Sequence, residues 1–250
     1  MLEGKVVLVT GSARGVGSGI ARQLVRRGAT VCVNYAASEL KANRLVDEFR
    51  AGGGHSACYQ ADVTDASQVS TMVDQIEHEW GRLDGVVNNA IAGLQEGNLS
   101  IVAWSDFETA FSFGCKAVVN TTMAALPAFA RAGGGRIVNV VTDFWNEAPP
   151  GWAVYLAGKG ALVGLSRSLS AELGPEGVTV NMVAPGWIVA DSADEGSDES
   201  VEFASRLPLR RRAHGEDVGD VVSFYMSDLA SQVTGAYLLV NGGRTAQVGT

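Results

Sequence analysis

Of 250 residues, only three are cysteine, three histidine and six proline, and aromatic residues make up 7%. Cys32, Cys58 and Cys115 are odd in number and form no Cys-x-x-Cys pair. That excludes a disulfide framework and reads as free thiols in a reducing compartment, with Cys32 and Cys58 inside expected strands. His55, His78 and His214 are scattered without ligand spacing, so no metal site is expected. No apolar run approaches the ~18 residues of a membrane span. The first expected strand begins at Lys5, which leaves no room for a signal peptide, and a cytoplasmic location is expected. Positive charge is also scarce: 19 Lys and Arg stand against 27 Asp and Glu, a net charge of −8, so no nucleic-acid footprint is expected. What the chain has is apolar content, 46%, with 18% charged residues and 31 glycines. A chain of this size and composition buries a substantial core as one domain.

Short apolar runs bounded by glycine and polar turns predict strands near 5–10, 30–35, 55–60, 83–88, 136–141, 179–184 and 236–240. Helical spacing between them predicts helices near 16–27, 38–51, 66–80, 104–131, 152–173 and 215–227. Alternation of this kind implies an α/β fold: a doubly wound, parallel, seven-stranded sheet with helices on both faces and right-handed crossovers. Ligands of such sheets bind beyond the C-terminal strand ends.

The distinctive residues gather at those ends. After the first strand comes Gly11-Ser12-Ala13-Arg14-Gly15-Val16-Gly17, followed by apolar residues at helical spacing. Unpaired N–H groups and the positive end of a helix dipole suit a pyrophosphate, and glycines let the backbone approach it. The spacing is Gly-x3-Gly-x-Gly rather than Gly-x-Gly-x-x-Gly, and glycines alone would equally suit a plain tight turn. Farther along, Tyr155 and Lys159 stand four apart in Tyr-Leu-Ala-Gly-Lys, downstream of Thr142. Residues so spaced share a helix face, and an ammonium beside a phenol lowers the phenol's pKa from about 10. A phenol tuned this way can exchange a proton with a substrate oxygen near neutral pH.

Asp62-Val63 ends the third strand, Asn88-Asn89-Ala90 the fourth and Pro185-Gly186-Trp187-Ile188 the sixth; Thr234-Gly235 through Asn241-Gly242-Gly243 follows. In this order and spacing the chain resembles the short-chain dehydrogenase/reductase family from about Leu2 to Gly243. Within that family it is most similar to the 3-oxoacyl-acyl-carrier-protein reductases and their relatives. The resemblance implies a Rossmann fold, a homotetramer and interconversion of a ketone with a secondary alcohol through a nicotinamide cofactor. Tyr155 would be the general acid, Lys159 would lower its pKa and hold the nicotinamide ribose, and Thr142 would polarise the carbonyl. Cofactor contacts would come from Gly11, Ser12, Arg14, Gly15, Val16 and Gly17, then Asn34, Tyr35 and Ser38. Asp62, Val63, Asn89, Ala90, Tyr155, Lys159, Pro185, Gly186 and Ile188 would complete them.

Charge selects NADP(H). The second strand runs Val31-Cys32-Val33-Asn34-Tyr35-Ala36-Ala37-Ser38 with no acid before Glu39, so nothing repels a 2′-phosphate. Arg14 can supply the matching charge and Ser38 a hydrogen bond, unless Arg14 is merely a solvated side chain.

Departures from the family pattern bear on the chemistry. Thr142 stands where serine is usual and keeps the hydroxyl. Ile91 replaces the glycine of Asn-Asn-Ala-Gly, so its backbone must accept a β-branched residue at negative φ. Counting back from Ala124-Ala125-Leu126-Pro127, the usual active-site asparagine falls on Gly114, where a water held by other polar groups could fill the vacancy. Ala190 replaces a threonine that helps hold the nicotinamide amide. Two hypotheses follow: an active NADP(H)-dependent oxidoreductase, or a weakened member that binds dinucleotide as a sensor or structural subunit.

Substrate signals are fewer. Phe144, Trp145, Trp152 and Trp187 flank the catalytic positions and suit either an apolar or aromatic pocket or core packing. The acidic stretch Ala190–Ser200 reads as a solvated loop or as a mobile substrate lid near 190–210. Its charge argues against docking an acidic carrier protein, unless Arg210, Arg211 and Arg212 face the same side. The expected partner is therefore a small carbonyl or alcohol substrate.

Overall fold

Seven short runs of Val, Ile, Leu and their neighbours pair in parallel, and most are buried on both faces. The computed structural model describes residues 1–93, 96–189 and 195–244. The strands are β1 (Val6–Val9), β2 (Thr30–Tyr35), β3 (Ser56–Gln60), β4 (Gly85–Asn88), β5 (Gly135–Val140), β6 (Val178–Pro185) and β7 (Tyr237–Val240). Their order in the sheet is β3-β2-β1-β4-β5-β6-β7, and every pairing is parallel. The seven expected strands are all present.

Helices α1 (Gly15–Arg26), α2 (Glu39–Ala51), α3 (Ala66–Trp80), α4 (Trp104–Phe111), α5 (Ala117–Ala132) and α6 (Ala153–Glu172) follow. Next come α7 (Asp198–Arg206) and α8 (Gly215–Met226). One core layer joins the sheet to α1, α2 and α8 through Ile20, Leu24, Val46, Phe49, Val218 and Val222. On the opposite face Val69, Met72, Ile76 and Phe129 pack α3 and α5, and Val118 and Leu162 join α5 to α6. Apolar residues at intervals of three and four make each contact a continuous stripe.

Two differences from the expected elements matter. The helix expected over 104–131 is α4 and α5 joined by a π-helical segment, Ser112–Lys116, with Gly114 at its centre. An extra residue in one turn shifts hydrogen bonds from i−4 to i−5, a feature common at functional sites. Helix α7 was not expected at all. Ser197 caps it by accepting from Ser200 N, and Asp198 and Glu199 in its first turn favour the positive dipole end. Of the expected lid, residues 190–194, including Ala190, Asp191 and Asp194, lie outside the described residues.

Candidate active site

Strand order reverses between β1 and β4, and the crevice at that switch point receives the glycine turn from one side and Asn88–Ala90 from the other. The turn is built to sit close to its neighbours. Gly11 has φ +61°, and a Cβ there would come within 2.9 Å of Ala90 Cα. Asn89 Nδ2 donates to the Thr10 and Gly11 carbonyls (3.0 and 3.2 Å), and Asn89 N donates to Thr10 Oγ1 at 3.0 Å. Gly15, Val16 and Gly17 open α1 at the crevice, which leaves that helix's first N–H groups at the switch point.

The side chains of two expected contact residues are engaged within the protein. Ser12 and Asn34 are fully buried. Ser12 Oγ donates to Val9 O at 2.7 Å, Asn34 Oδ1 accepts from Gly11 N at 3.1 Å, and Asn34 Nδ2 donates to Ala61 O at 3.1 Å. Both are spent on shaping the turn from beneath. Tyr35 is likewise buried at the end of β2. Arg14 is exposed at the N-cap of α1 and makes no ion pair with a described residue. Ser38, at the N-cap of α2, has a hydroxyl that makes no capping bond. Arg14 and Ser38 follow β1 and β2, which are neighbours in the sheet. Asp62 is exposed and holds Thr64, while Val63 is buried with its carbonyl accepting from Asn120 Nδ2 at 3.0 Å.

Beyond β5, the three catalytic candidates come together. Thr142 is buried, its Oγ1 accepts from Phe144 N at 3.2 Å, and its hydroxyl lies near enough to the Tyr155 phenol to lower that phenol's pKa. Tyr155 and Lys159 share one face of α6, with the ammonium 6.0 Å from the phenol ring centroid. Lys159 Nζ is buried and donates to Val140 O at 2.6 Å. Burial brings its pKa down to about 8. The expected lowering of the Tyr155 pKa is reversed in the free protein. Burial pushes the phenol up, with Asp143 adding to the effect, and the nearby Thr142 hydroxyl only partly offsets it. The lysine's hydrogen bond goes to a strand carbonyl instead.

A cavity of about 300 Å³ adjoins the pair between the end of β4, the α4–α5 junction and α6, with Lys159, Asn88, Thr109 and Asp106 among its polar lining. Gly114 lines it too, but no side chain is missing there. A Cβ on Gly114 would lie 2.2 Å from Gly158 O, so backbone occupies the space an asparagine would need. The expected water-filled vacancy at that point is closed by the approach of α6. Ile91 is half-exposed and is not among the residues with positive φ, as its β-branch requires.

Around the phenol, Phe144 and Trp152 pack edge-on to Tyr155, at 6.5 and 5.9 Å between centroids. Trp187 meets Phe203 of α7 at 5.0 Å and is covered by the Arg212 guanidinium at 3.8 Å. Trp145 turns away, against Gly160 of α6 and toward Tyr237. Pro185 and Gly186 end β6 beside Asn241 and Asp143, and Ile188 is buried just beyond. Sequence reasoning missed four residues around Thr142. The Tyr237 hydroxyl donates to Thr142 O, Asn241 Nδ2 donates to Asp143 Oδ2 at 3.1 Å, and Arg244 approaches Asp143 at 3.8 Å. Only the Asn-Gly-Gly turn hinted at this segment; Asp143, Tyr237 and Arg244 carry no local pattern.

The chain's likenesses agree with this geometry. The family described as Enoyl-(Acyl carrier protein) reductase matches residues 11–245. A 3-oxoacyl-[acyl-carrier-protein] reductase FabG of Staphylococcus aureus is 39% identical over 241 residues, covering 96% of this chain and 97% of that protein. A cyclohexanol dehydrogenase of Rhodococcus sp. is 36% identical over 264 residues, covering 98% and 97%. Among solved structures, a blue fluorescent protein from a metagenomic library in complex with NADPH is 34% identical, with TM-score 0.86 over 97% of this chain and 98% of that one. A short-chain dehydrogenase from Burkholderia cenocepacia in complex with NADP is 31% identical, with TM-score 0.87 over 98% and 99%. With this fold, this arrangement of Thr142, Tyr155 and Lys159 and these relatives, the chain belongs to the short-chain dehydrogenase/reductase family.

Proposed function

We propose that this chain is an NADP(H)-dependent oxidoreductase that interconverts a ketone and a secondary alcohol, with Tyr155 as its general acid and base. The observation that carries the reading is Tyr155 and Lys159 on one face of α6, lining the cavity beside the switch-point crevice, with buried Thr142 next to the phenol. A pure dinucleotide binder has no need of that trio.

The residues present fit the cofactor. The Gly11–Gly17 turn and the N-terminus of α1 suit the pyrophosphate. Arg14 and Ser38 suit a 2′-phosphate, and Asn89, Ala90 and Val63 support the groove between. Lys159 and Tyr155, which line the cavity, are suited to hold a ribose, and Pro185, Gly186 and Ile188 would flank the ring. Bound there, the nicotinamide supplies the hydride donor or acceptor. In reduction, Thr142 donates a hydrogen bond to the carbonyl oxygen and Tyr155 delivers the proton to the same atom. In oxidation, Tyr155 takes that proton back. Lys159 holds positive charge beside the phenol as its proton leaves.

The rings of Phe144, Trp152, Trp187 and Phe203 favour an apolar or aromatic ketone. The exposed apolar side chains Trp104, Met123, Leu238 and Leu239, on α4, α5 and β7, support a homotetramer built on those elements. NADPH consumption with a panel of aromatic, alicyclic and 3-oxoacyl ketones tests the reading. We expect turnover with at least one; dinucleotide binding without turnover of any would overturn it.

A further inference from the structure

The C-terminal segment grips the catalytic loop at four successive points. Tyr237 bonds Thr142 O, Asn241 bonds Asp143, and Arg244 pairs with Asp143 and Glu147. Arg244 also reaches in a second direction. Its guanidinium lies over the Phe144 ring at 5.9 Å and over the Phe203 ring at 4.9 Å. Phe144 stands beside the Tyr155 phenol, whereas Phe203 belongs to α7 and packs on Trp187. The Arg244 side chain is 16% exposed and Asp143 2%, so the pair is held largely out of water. A planar guanidinium is suited to this task, because it stacks on rings while its edge binds carboxylates.

We propose that Arg244 is a positioning residue that sets substrate choice, by locking the catalytic loop Thr142–Glu147 to helix α7 through a guanidinium that lies against both the Phe144 and the Phe203 rings. Arg212 anchors the same helix elsewhere, donating to Ser200 Oγ at 2.8 Å and to Ile188 O at 2.9 Å. Arg244 thus touches both α7 and the loop that carries Thr142. The wall so formed is apolar on its ring faces, and the Arg244 cation already faces the carboxylates of Asp143 and Glu147. A substrate carboxylate would find no uncommitted charge on Arg244. The wall selects uncharged, ring-bearing carbonyl compounds over acyclic or carboxylate-bearing ones.

The proposal rests on the carbonyl-reductase reading, and two measurements keep the two separable. The first is hydrogen–deuterium exchange of the full chain loaded with NADP. Arg244→Ala should speed exchange in 143–147 and in 198–206 by tenfold or more, while α1 and α8 stay unchanged; Arg244→Lys should fall between. The second is steady-state reduction of cyclohexanone against 2-hexanone. The parent should favour the ring, and Arg244→Ala should raise the cyclohexanone KM about tenfold with kcat within threefold, erasing the preference. Unchanged exchange in both segments would overturn the clamp, as would exchange rising equally across the whole chain. An unchanged KM ratio would overturn the role in selectivity. If the parent reduces no ketone, the catalytic reading fails and the exchange arm still decides the clamp.

Discussion

Gly114 lies so close to Gly158 that a β-carbon on the first would stand 2.2 Å from the carbonyl oxygen of the second. A Cβ on Gly158 would in turn meet Ala110 O at 2.9 Å. The π-helical segment and α6 thus touch backbone to backbone, directly under the turn that carries Tyr155 and Lys159. Restoring the family's asparagine should harm this protein. Gly114→Asn must push α6 outward, costing about 1–3 kcal/mol by overpacking. We expect a lower denaturation midpoint and reduced turnover; a variant as stable as the parent and more active would show that the close approach is dispensable.

Tyr155→Phe removes the proton donor and leaves cofactor binding nearly intact. Turnover should fall by about 10²–10⁴. Lys159→Met should damage turnover and cofactor affinity together. Stopped-flow reduction with NADPH titration separates these effects, and near-normal reduction by the phenylalanine variant would refute the mechanism.

The two pKa shifts at the site predict opposite behaviour with pH. Lys159 is lowered to about 8 by burial, so kcat/KM for reduction should decline as pH rises through that value. Tyr155 is moved upward and stays a proton donor across the same range. Stability has its own signature. The unfolded lysine binds its proton more tightly than the folded one, so from this group the cofactor-free protein gains stability from about pH 8 to 10.5. Denaturant unfolding of the parent and of Lys159→Met over that window should differ in slope; parallel profiles would contradict the assignment.

Arg14 is exposed without an ion pair to any described residue, so a 2′-phosphate would meet an uncommitted guanidinium. NADPH should bind at least tenfold tighter than NADH, or by about 1.4 kcal/mol. Arg14→Ala should erase most of that difference and leave NADH affinity alone. Calorimetric titration of both cofactors checks this, and equal affinities in the parent would refute it.

Carrier-linked substrates should be poor ones. Of the three consecutive arginines, Arg212 is buried, Arg211 is paired with Asp217 at 2.8 Å, and Arg210 is bonded to Ser205 O. Among the described residues, Arg211 is thus partly neutralised and Arg212 withdrawn from the surface, leaving little uncommitted positive charge to offset Glu195, Asp198 and Glu199 against an acidic carrier. Rates on a free thioester analogue and on its carrier-linked form decide the matter. A large, salt-sensitive preference for the carrier-linked form would count against the acidic surface.

Periodicity and punctuation determined the seven strands, the doubly wound order of elements and the placing of the glycine turn, Thr142, Tyr155 and Lys159 at strand ends. Those features are local, since they follow from spacing along one segment. Helix α7 escaped because its Ser-Asp-Glu start was submerged in an acidic stretch with few apolar anchors. Tertiary structure alone decided the rest. It buried Ser12 and Asn34 beneath the turn, and it turned the expected fall in the Tyr155 pKa into a rise, because desolvation depends on what surrounds a group in space. It also brought Gly114 against Gly158 and Arg244 against both Phe144 and Phe203. Such contacts join residues distant along the chain, and their energies depend on shape and burial that no single segment encodes.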